Sequence, residues 1–491
     1  MTGRILAAAL LIGLGLPGGA GAQATGEVIS KQYDDGSVYE GTFKDGLQDG
    51  TGTYRLPNGY EYTGAWVAGE IKGQGTARFP NGSVYEGTFA KGKPAGKGKI
   101  TFSDGGSYEG DWAEGQMTGT GTVRYADGSV YTGAVVAGVH EGTGKLTSPG
   151  GTIYDGSWVK GVKEGAGRIT YPDGTVYDGG FVAGARVGKG TLILPDGLTY
   201  VGDWAEGQIN GTGTLTQANG DIYEGTLVNG LRQGKGRMTY ANGSVYEGEF
   251  AADKREGQGV FRGTDRFAYE GQWVAGRMEG VGQITYPDGA VYEGAVKADK
   301  AEGQGRIIYA DGTGYEGNWQ AGVINGTGRA TYAEGVVYEG TFKAAKPDGT
   351  GVMTYPSGYR YDGQWVAGQR QGKGTATYAD GSVYAGDFVA GAREGQGEFI
   401  MPDGFKYAGA WKAGEIDGKG VATYANGDVY DGMFAAGKRQ GDGVMKYKTG
   451  QETAGIWTNG VLTAPAAAVA PGAGGAAAPA EGAAAAAGTN P

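Results

Sequence analysis

The chain has 491 residues and a formal net charge of −11, with 106 glycines, 32 tyrosines, one histidine and no cysteine. The lack of cysteine excludes a disulfide framework, and a single histidine cannot build a catalytic triad or a His-containing metal set. Nucleic acid and anionic lipid surfaces attract clustered Lys and Arg, whereas the basic residues here are scattered among more numerous acids. We therefore expect no nucleic-acid partner, no metal and no cofactor.

The two ends of the chain differ from the rest. A single basic residue, Arg4, precedes an apolar run over 5–16 and small residues that end at Ala22. This order predicts a cleavable secretory signal peptide, 1–22, because the apolar run is too short for a comfortable membrane span. Secretion without disulfides predicts a soluble mature chain in a bacterial periplasm. The last segment, 461–491, is dominated by Ala, Gly and Pro, which predicts a disordered tail.

Between these ends a tyrosine recurs every 23 residues, from Tyr39 to Tyr430, in eighteen copies. We number positions from this repeat tyrosine, so that glycine occupies +2, +11 and +13 in every copy. A regular period of this length is typical of a repeat architecture. The sequence predicts a partial repeat or cap over 23–38, a first array over 39–249 and a second array over 269–460.

Alternation within each repeat predicts two short strands. Residues two apart in a strand share a face, so Tyr39, Gly41 and Phe43 lie on one side of the first strand. Asn58-Gly59 and similar dipeptides are strong turn signals between one repeat and the next. The expected fold is all-β: an elongated, single-layer antiparallel meander of about eighteen β-hairpins, in which rings cover the bare backbone at the glycines.

The segment from Tyr39 to Gly59, YEGTFKDGLQDGTGTYRLPNG, resembles the MORN (membrane occupation and recognition nexus) repeat in its tyrosine, paired glycines and terminal Asn-Gly. The resemblance extends over about residues 33–460. It implies a twisted sheet used for homodimerisation, protein scaffolding or, in some members, lipid contact. Some eukaryotic members also carry a lipid-kinase domain, but this chain has no such domain, and we expect no kinase activity.

All nine tryptophans occupy position +4. Within each of two sets they are 46 residues apart, so tryptophan alternates with smaller residues along the array. One interpretation is packing, because large and small side chains interdigitate. The other is an exposed row that stacks on a glycan or grips a partner. The candidate partner-binding row is Trp66, Trp112, Trp158, Trp204, Trp273, Trp319, Trp365 and Trp411, with Trp457 in the decayed last unit.

The alternation slips between Trp204 and Trp273, which are 69 residues apart. The least regular stretch of the chain, 250–268, lies between them, and there Arg266 replaces the turn glycine found at position +20 of other repeats. These coincident irregularities predict a kink or join between two arrays. The join is either a hinge or the scar of a duplication.

Two weaker signals concern charge. Acidic residues follow the tyrosine in most repeats, and we interpret this column as a solvated stripe that deters edge pairing. Binding of divalent cations along it is the alternative. His140 is expected in a loop within one repeat, with a structural role.

The leading functional hypothesis is a non-catalytic, secreted scaffold that binds proteins, or a second copy of itself, through its extended β face. The alternative is binding of an envelope glycan such as peptidoglycan, or of lipid, through the aromatic face. An enzyme would need paired acids in one irregular repeat, and the only irregular stretch, 250–268, carries no sign of a cleft. We therefore expect no catalytic residues.

Overall fold

The computed structural model describes residues 27–465, and the predicted signal peptide lies outside this range. The described residues form thirty-nine β-strands and one short 3₁₀ turn, Ala333–Gly335. They divide into two units, 27–277 and 278–465.

The strands are short and alternate regularly between seven and nine residues along most of the chain. In the first unit they are β1 (Val28–Gln32), β2 (Val38–Lys44), β3 (Leu47–Arg55), β4 (Glu61–Val67), β5 (Glu70–Arg78), β6 (Val84–Ala90), β7 (Lys93–Thr101), β8 (Ser107–Ala113), β9 (Gln116–Arg124), β10 (Val130–Val136), β11 (Val139–Thr147), β12 (Ile153–Val159), β13 (Val162–Thr170), β14 (Val176–Val182), β15 (Ala185–Ile193), β16 (Thr199–Ala205), β17 (Gln208–Thr216), β18 (Ile222–Val228), β19 (Leu231–Thr239), β20 (Val245–Ala251), β21 (Lys254–Arg262) and β22 (Ala268–Val274). The second unit holds β23 (Arg277–Thr285, from its second residue), β24 (Val291–Lys297), β25 (Lys300–Ile308), β26 (Gly314–Gln320), β27 (Val323–Thr331), β28 (Val337–Lys343), β29 (Lys346–Thr354), β30 (Arg360–Val366), β31 (Gln369–Thr377), β32 (Val383–Val389), β33 (Ala392–Ile400), β34 (Lys406–Lys412), β35 (Glu415–Thr423), β36 (Val429–Ala435), β37 (Lys438–Lys446), β38 (Glu452–Thr458) and β39 (Val461–Pro465).

Within each unit every strand pairs antiparallel with the strands that precede and follow it in sequence. The register places glycine opposite glycine: Gly41 faces Gly52 inside the first hairpin, and Gly52 faces Gly64 of the next repeat. The predicted all-β antiparallel meander of hairpin repeats is confirmed.

Each hairpin closes with a two-residue turn of left-handed residues. In the second repeat Ala68 and Gly69 have φ angles of 48° and 85°. Two consecutive positive φ angles are the mark of a type I′ turn, whose twist matches that of the flanking strands. A β-bulge then shifts the register between positions +2 and +4, and the +11 glycine lies within it, as at Gly50 with φ 98°. The bulge bends each hairpin at the same place.

The turns between repeats have the predicted chemistry. The N–H of Gly59 donates to the carbonyl of Leu56 at 3.0 Å, and the N–H of Tyr60 donates to Asn58 Oδ1 at 3.0 Å. Gly59 takes a φ of 88°, which glycine adopts without steric cost. The Asn-Gly dipeptides that the sequence singled out are therefore turns between hairpins.

The irregular stretch 250–268 does not interrupt the sheet. β20, β21 and β22 pair in the same register as other repeats, with Gly248 opposite Gly259 and Gly259 opposite Gly271. The division between the two units falls after Arg277, beyond this stretch. The kink stays a prediction.

The tail boundary needs a correction. The sequence predicts disorder from residue 461, but the structure adds a last strand there, β39 (Val461–Pro465), paired with β38. This segment forms a strand because its backbone pairs with β38, with Leu462 opposite Trp457. It does so although it carries no repeat tyrosine and no glycine pair. The remainder of the predicted tail lies outside the described residues.

Arg266 offers a direct test of the turn geometry. It occupies the position of the turn glycine with a φ of 73°, a conformation that costs a residue with a Cβ about 1–2 kcal/mol. We expect Arg266→Gly to raise the free energy of unfolding by about 0.5–1 kcal/mol, measured by urea unfolding, after the entropy of the added glycine is subtracted. Arg266→Ala keeps the Cβ and should bring no gain. An equal gain in both variants would assign the effect to the arginine side chain instead.

Candidate functional site

The face that carries the repeat tyrosine, here called the core face, is built on one contact. Tyr85 is completely buried, and its phenol donates a hydrogen bond to the carbonyl of Thr88 at 2.9 Å. Its ring lies over Gly87 and Gly98, where an added Cβ would overlap the phenol. The same arrangement recurs along the array, and burial raises the pKa of these tyrosines, to about 12 for Tyr39.

The residues at +4 link these tyrosines into a continuous row. Trp112 meets the rings of Tyr85 and Tyr108 edge to face, with centroids 4.9 and 5.5 Å apart, and its indole N–H donates to the carbonyl of Gly98 at 3.0 Å. Phe89 contacts Tyr85 in the same geometry at 5.0 Å. Edge-to-face pairs are favourable beyond the area they bury, so the row is a packing device.

The candidate Trp row lies inside this packing. Its eight rings are only 3% to 8% exposed, across Trp66, Trp112, Trp158, Trp204, Trp273, Trp319, Trp365 and Trp411. Stacking on a sugar or a partner side chain requires an open ring face. The described structure leaves none open, because neighbouring tyrosine rings pack against these rings, and a guanidinium also lies over Trp204, Trp273 and Trp411.

These cations come from position +9. Arg255 lies 4.0 Å from the centroid of the Trp273 ring and donates a hydrogen bond from its guanidinium to the carbonyl of Gly276 at 2.9 Å. A guanidinium over an aromatic ring is a favourable cation–π contact. The cations at +9 that lie over rings are Lys163, Arg186, Arg232, Arg255, Arg370, Arg393 and Arg439.

His140 occupies the same position +9, which corrects its expected place in a loop. It lies on β11 and stacks on Tyr131 with centroids 3.6 Å apart. Its Nε2 is 2.7 Å from the Tyr125 hydroxyl, and burial lowers the pKa of the imidazole to about 4. The return strand begins at Val139, directly after the two-residue turn at Ala137 and Gly138, so His140 is a strand residue opposite Val135. His140 is part of the core face.

The opposite side, here called the polar face, carries the acidic column. Glu86 and Glu109 are exposed, and Lys99 stands directly opposite each of them in the strand register of β6, β7 and β8. A similar pair, Arg329 and Glu339, forms a 2.8 Å ion pair in the second unit. These strands are paired on both sides, so the column lies within the sheet rather than at its edge. Among residues 27–465 no group of three or more His, Asp or Glu has the arrangement of a metal site.

An open groove of about 1200 Å³ runs over the polar face across seven strands, β4 to β10. Its floor is the backbone of the paired glycines, and its walls are polar side chains at +1, +12 and +14. The floor includes Gly64, Gly75, Gly87, Gly98, Gly110, Gly121 and Gly133, and the walls include Gln74, Thr76, Glu86, Lys97, Lys99, Glu109, Thr120 and Thr122. In the second unit an equivalent groove of about 530 Å³ crosses β31 to β33 over Gly374, Gly386 and Gly397.

The profile of the MORN repeat matches eighteen consecutive segments of this chain. The chain belongs to the MORN-repeat family. The matched segments are 39–59, 62–84, 85–107, 108–130, 131–153, 154–176, 177–199, 200–222, 223–245, 246–266, 269–291, 292–314, 315–337, 338–358, 361–383, 384–405, 407–429 and 430–452. The resemblance drawn from the sequence is thus confirmed, and the chain is a repeat scaffold of a kind generally used for protein or membrane interaction and generally non-catalytic.

Similarity to individual proteins covers only parts of this chain. Alsin from Rattus norvegicus is 47% identical over 49 residues, which span 9% of this chain and 3% of Alsin. Among solved structures, the TCP domain of SAS-4 from Drosophila melanogaster, in complex with a proline-rich motif of Ana2, is 17% identical with a TM-score of 0.20, covering 36% of this chain and 83% of that one. The TCP10 domain of Danio rerio CPAP, in complex with a STIL peptide, is 17% identical with a TM-score of 0.21, covering 54% and 97%.

The described part of the MORN array contains no helix with the length and apolarity of a membrane span. Its repeats also carry structural columns that sequence reasoning overlooked. One is the cation at +9. Another is the carboxylate at +10: Glu256 accepts a hydrogen bond from the N–H of Ala275, the left-handed turn residue of the next repeat, at 2.9 Å. In the eighteen repeats a cation recurs at +9 in seven and a carboxylate at +10 in nine, and this partial recurrence is the signal that could have revealed them.

Burial of the His140 imidazole predicts that the fold loses stability in acid. Because its pKa is lowered from 6.5 to about 4, His140 stays neutral in the folded chain while the unfolded chain takes up a proton below about pH 6.5. Its contribution to stability is therefore present above pH 6.5 and is lost as the pH falls towards 4.

We expect the free energy of unfolding, from urea titration, to fall by about 2 kcal/mol more in the wild type than in His140→Met between pH about 7 and about 4. Methionine is the matched replacement, since Met117 is buried at the same position in the preceding repeat. Parallel pH profiles of the two proteins would contradict the assignment.

Proposed function

We propose that this chain is a non-catalytic scaffold of the bacterial periplasm that holds extended protein segments in its polar-face groove. The observation that carries the proposal is the groove itself, about 1200 Å³ in volume and open along seven strands of the first unit. At the usual spacing of strands in a sheet, seven strands extend over roughly 29 Å. A groove of this length suits an extended chain better than a small metabolite.

The chemistry of the groove supports a peptide partner. Its walls alternate in charge, with Glu86 and Glu109 on either side of Lys99, and they include neutral donors and acceptors such as Gln74 and Thr122. Mixed charge and amide groups match a polypeptide, which carries both signs and both kinds of hydrogen-bonding group. Phosphate backbones and anionic lipid would require a concentration of basic residues.

The core face supports a scaffold rather than a catalyst. Its one histidine is buried in a stack of rings and held neutral, and its arginines lie over aromatic rings. These groups stabilise the sheet.

The predicted signal peptide supports the location. The order of basic residue, apolar run and small residues ending at Ala22 is that of an exported chain. Cell fractionation with sequencing of the mature N-terminus should find a chain that begins at Gln23 in the periplasmic fraction. An intact N-terminus in the cytosolic fraction would remove the periplasmic part of the proposal.

The groove is tested by photo-crosslinking in living cells. A photoreactive residue at Thr76 or Thr122, which line the groove, should yield discrete protein adducts. The matched control is Lys91, an exposed turn residue of the intervening repeat, which should yield none above background. Equal adduct formation at all three positions, or none at any, would contradict the groove as the binding site.

A further inference from the structure

A second row of tyrosines lies at position +17, where each turn between repeats begins. In the second unit tyrosine holds this position in seven of eight successive repeats. This tyrosine ridge consists of Tyr286, Tyr309, Tyr332, Tyr355, Tyr378, Tyr424 and Tyr447, with Met401 in the remaining repeat. In the first unit the same position is tyrosine in three of ten repeats, and the other residues include Ser148, Gln217 and Gly263. The concentration of tyrosine in one unit exceeds what the turn itself requires, because the first unit folds with other residues there.

The turn holds each ridge tyrosine in a fixed place. The N–H of Tyr309 donates to the carbonyl of Thr313 at 2.8 Å, and its carbonyl accepts from the N–H of Gly312 at 2.9 Å. Strand alternation puts the side chain at the margin of the core face. Unlike the repeat tyrosines, the ridge is accessible: Tyr309 is 39% exposed, and Tyr332 and Tyr447 are each 38% exposed. The remaining ridge tyrosines are half-buried.

The spacing of the ridge is set by the sheet. Successive ridge tyrosines are two strands apart, which is about 9.5 Å at the usual strand separation. In a β-1,4-linked polysaccharide every second sugar presents the same face, and a disaccharide has about this length. A polyproline II helix, at three residues per turn and 3.1 Å per residue, repeats at about 9.3 Å and also fits. Both linear polymers therefore match the spacing of the ridge.

Hydrogen-bonding groups decide between them. Burial raises the pKa of the Tyr309 phenol, and the nearby carboxylates of Asp288 and Asp311 raise it further. Each of these carboxylates accepts a hydrogen bond from a backbone N–H at 3.0 Å. Asp380 and Asp403 are held in the same way in later turns. Oriented carboxylates accept hydrogen bonds, so they match the hydroxyl donors of a sugar. The backbone of a proline-rich helix offers mainly carbonyl acceptors.

We propose that the tyrosine ridge of the second unit binds a linear, neutral, β-1,4-linked polysaccharide, with alternate sugars stacked on successive tyrosines. The acidic chain, at a net charge of −11, disfavours an anionic polymer. The ridge lies at the margin of the core face and the protein-binding groove lies on the polar face. Each proposal can therefore fail without the other.

The full-length mature chain should pellet with insoluble chitin, a neutral β-1,4-linked polymer. We expect the triple variant Tyr309→Ala, Tyr332→Ala and Tyr447→Ala to bind about tenfold more weakly or worse, since each removes one stacking ring. The corresponding triple Phe variant keeps the rings and should retain binding. Val281→Ala, an exposed residue of the second unit outside the ridge, should bind like the wild type.

Far-ultraviolet circular dichroism and the unfolding midpoint establish that each variant is folded, and the Phe variant keeps the test valid if the Ala variant is not. Wild-type protein that stays in the supernatant, or Ala and Phe variants that bind equally well, would overturn the proposal. Loss of chitin binding to competing poly-L-proline would overturn it in favour of a proline-rich ligand.

Discussion

The structure depends on one contact, the repeat tyrosine lying on two paired glycines. Tyr85 covers Gly87 and Gly98 and donates its phenol proton to a backbone carbonyl three residues on. A side chain on either glycine would occupy the space of the ring. This is why glycine at +2 and +13 never varies in this chain, although glycine in a strand costs roughly 0.5–1 kcal/mol at each position. The buried ring offsets that cost, and the glycines in turn allow the ring to be buried in a single layer.

That contact makes the two faces of the sheet different, one packed with aromatic rings and the other polar and grooved. The aromatic residues of the core face stabilise the sheet, because Trp or Phe at +4 packs edge to face against neighbouring tyrosines. In seven repeats a cation at +9 also lies over these rings. The polar face has a glycine floor and polar walls, so a groove forms there wherever the repeats continue. The two binding functions that we propose therefore lie on the polar face and at the turn margins, where side chains vary without disturbing the tyrosine row.

The fold could be predicted from the sequence because three independent features agree. The 23-residue period of tyrosine predicts the repeat, the alternation of residue types predicts the two faces of the sheet, and Asn58-Gly59 predicts the turn between hairpins. Burial of the tryptophans at +4 could not be predicted in the same way, because it depends on side chains that approach from the neighbouring repeat. The sequence around Trp273 does not indicate that Arg255 lies over its ring. The sequence predicts a loop at His140 because its regular alternation begins only at the +11 glycine, whereas β11 already begins at Val139. It does not predict β39, because backbone pairing forms this strand without any repeat motif.

The most direct measurement is a double-mutant cycle on one tyrosine and one glycine. In the first unit a Cβ on Gly259 would overlap the Tyr246 ring, so Gly259→Ala should destabilise the chain strongly in urea unfolding. In a Tyr246→Leu background the ring is gone, and the same substitution should cost less by more than about 1 kcal/mol. Gly234→Ala, at a bulge position with nothing within 4 Å of the added Cβ, should show no such coupling. Equal costs of Gly259→Ala in both backgrounds would contradict the claim that the ring and the glycine depend on each other.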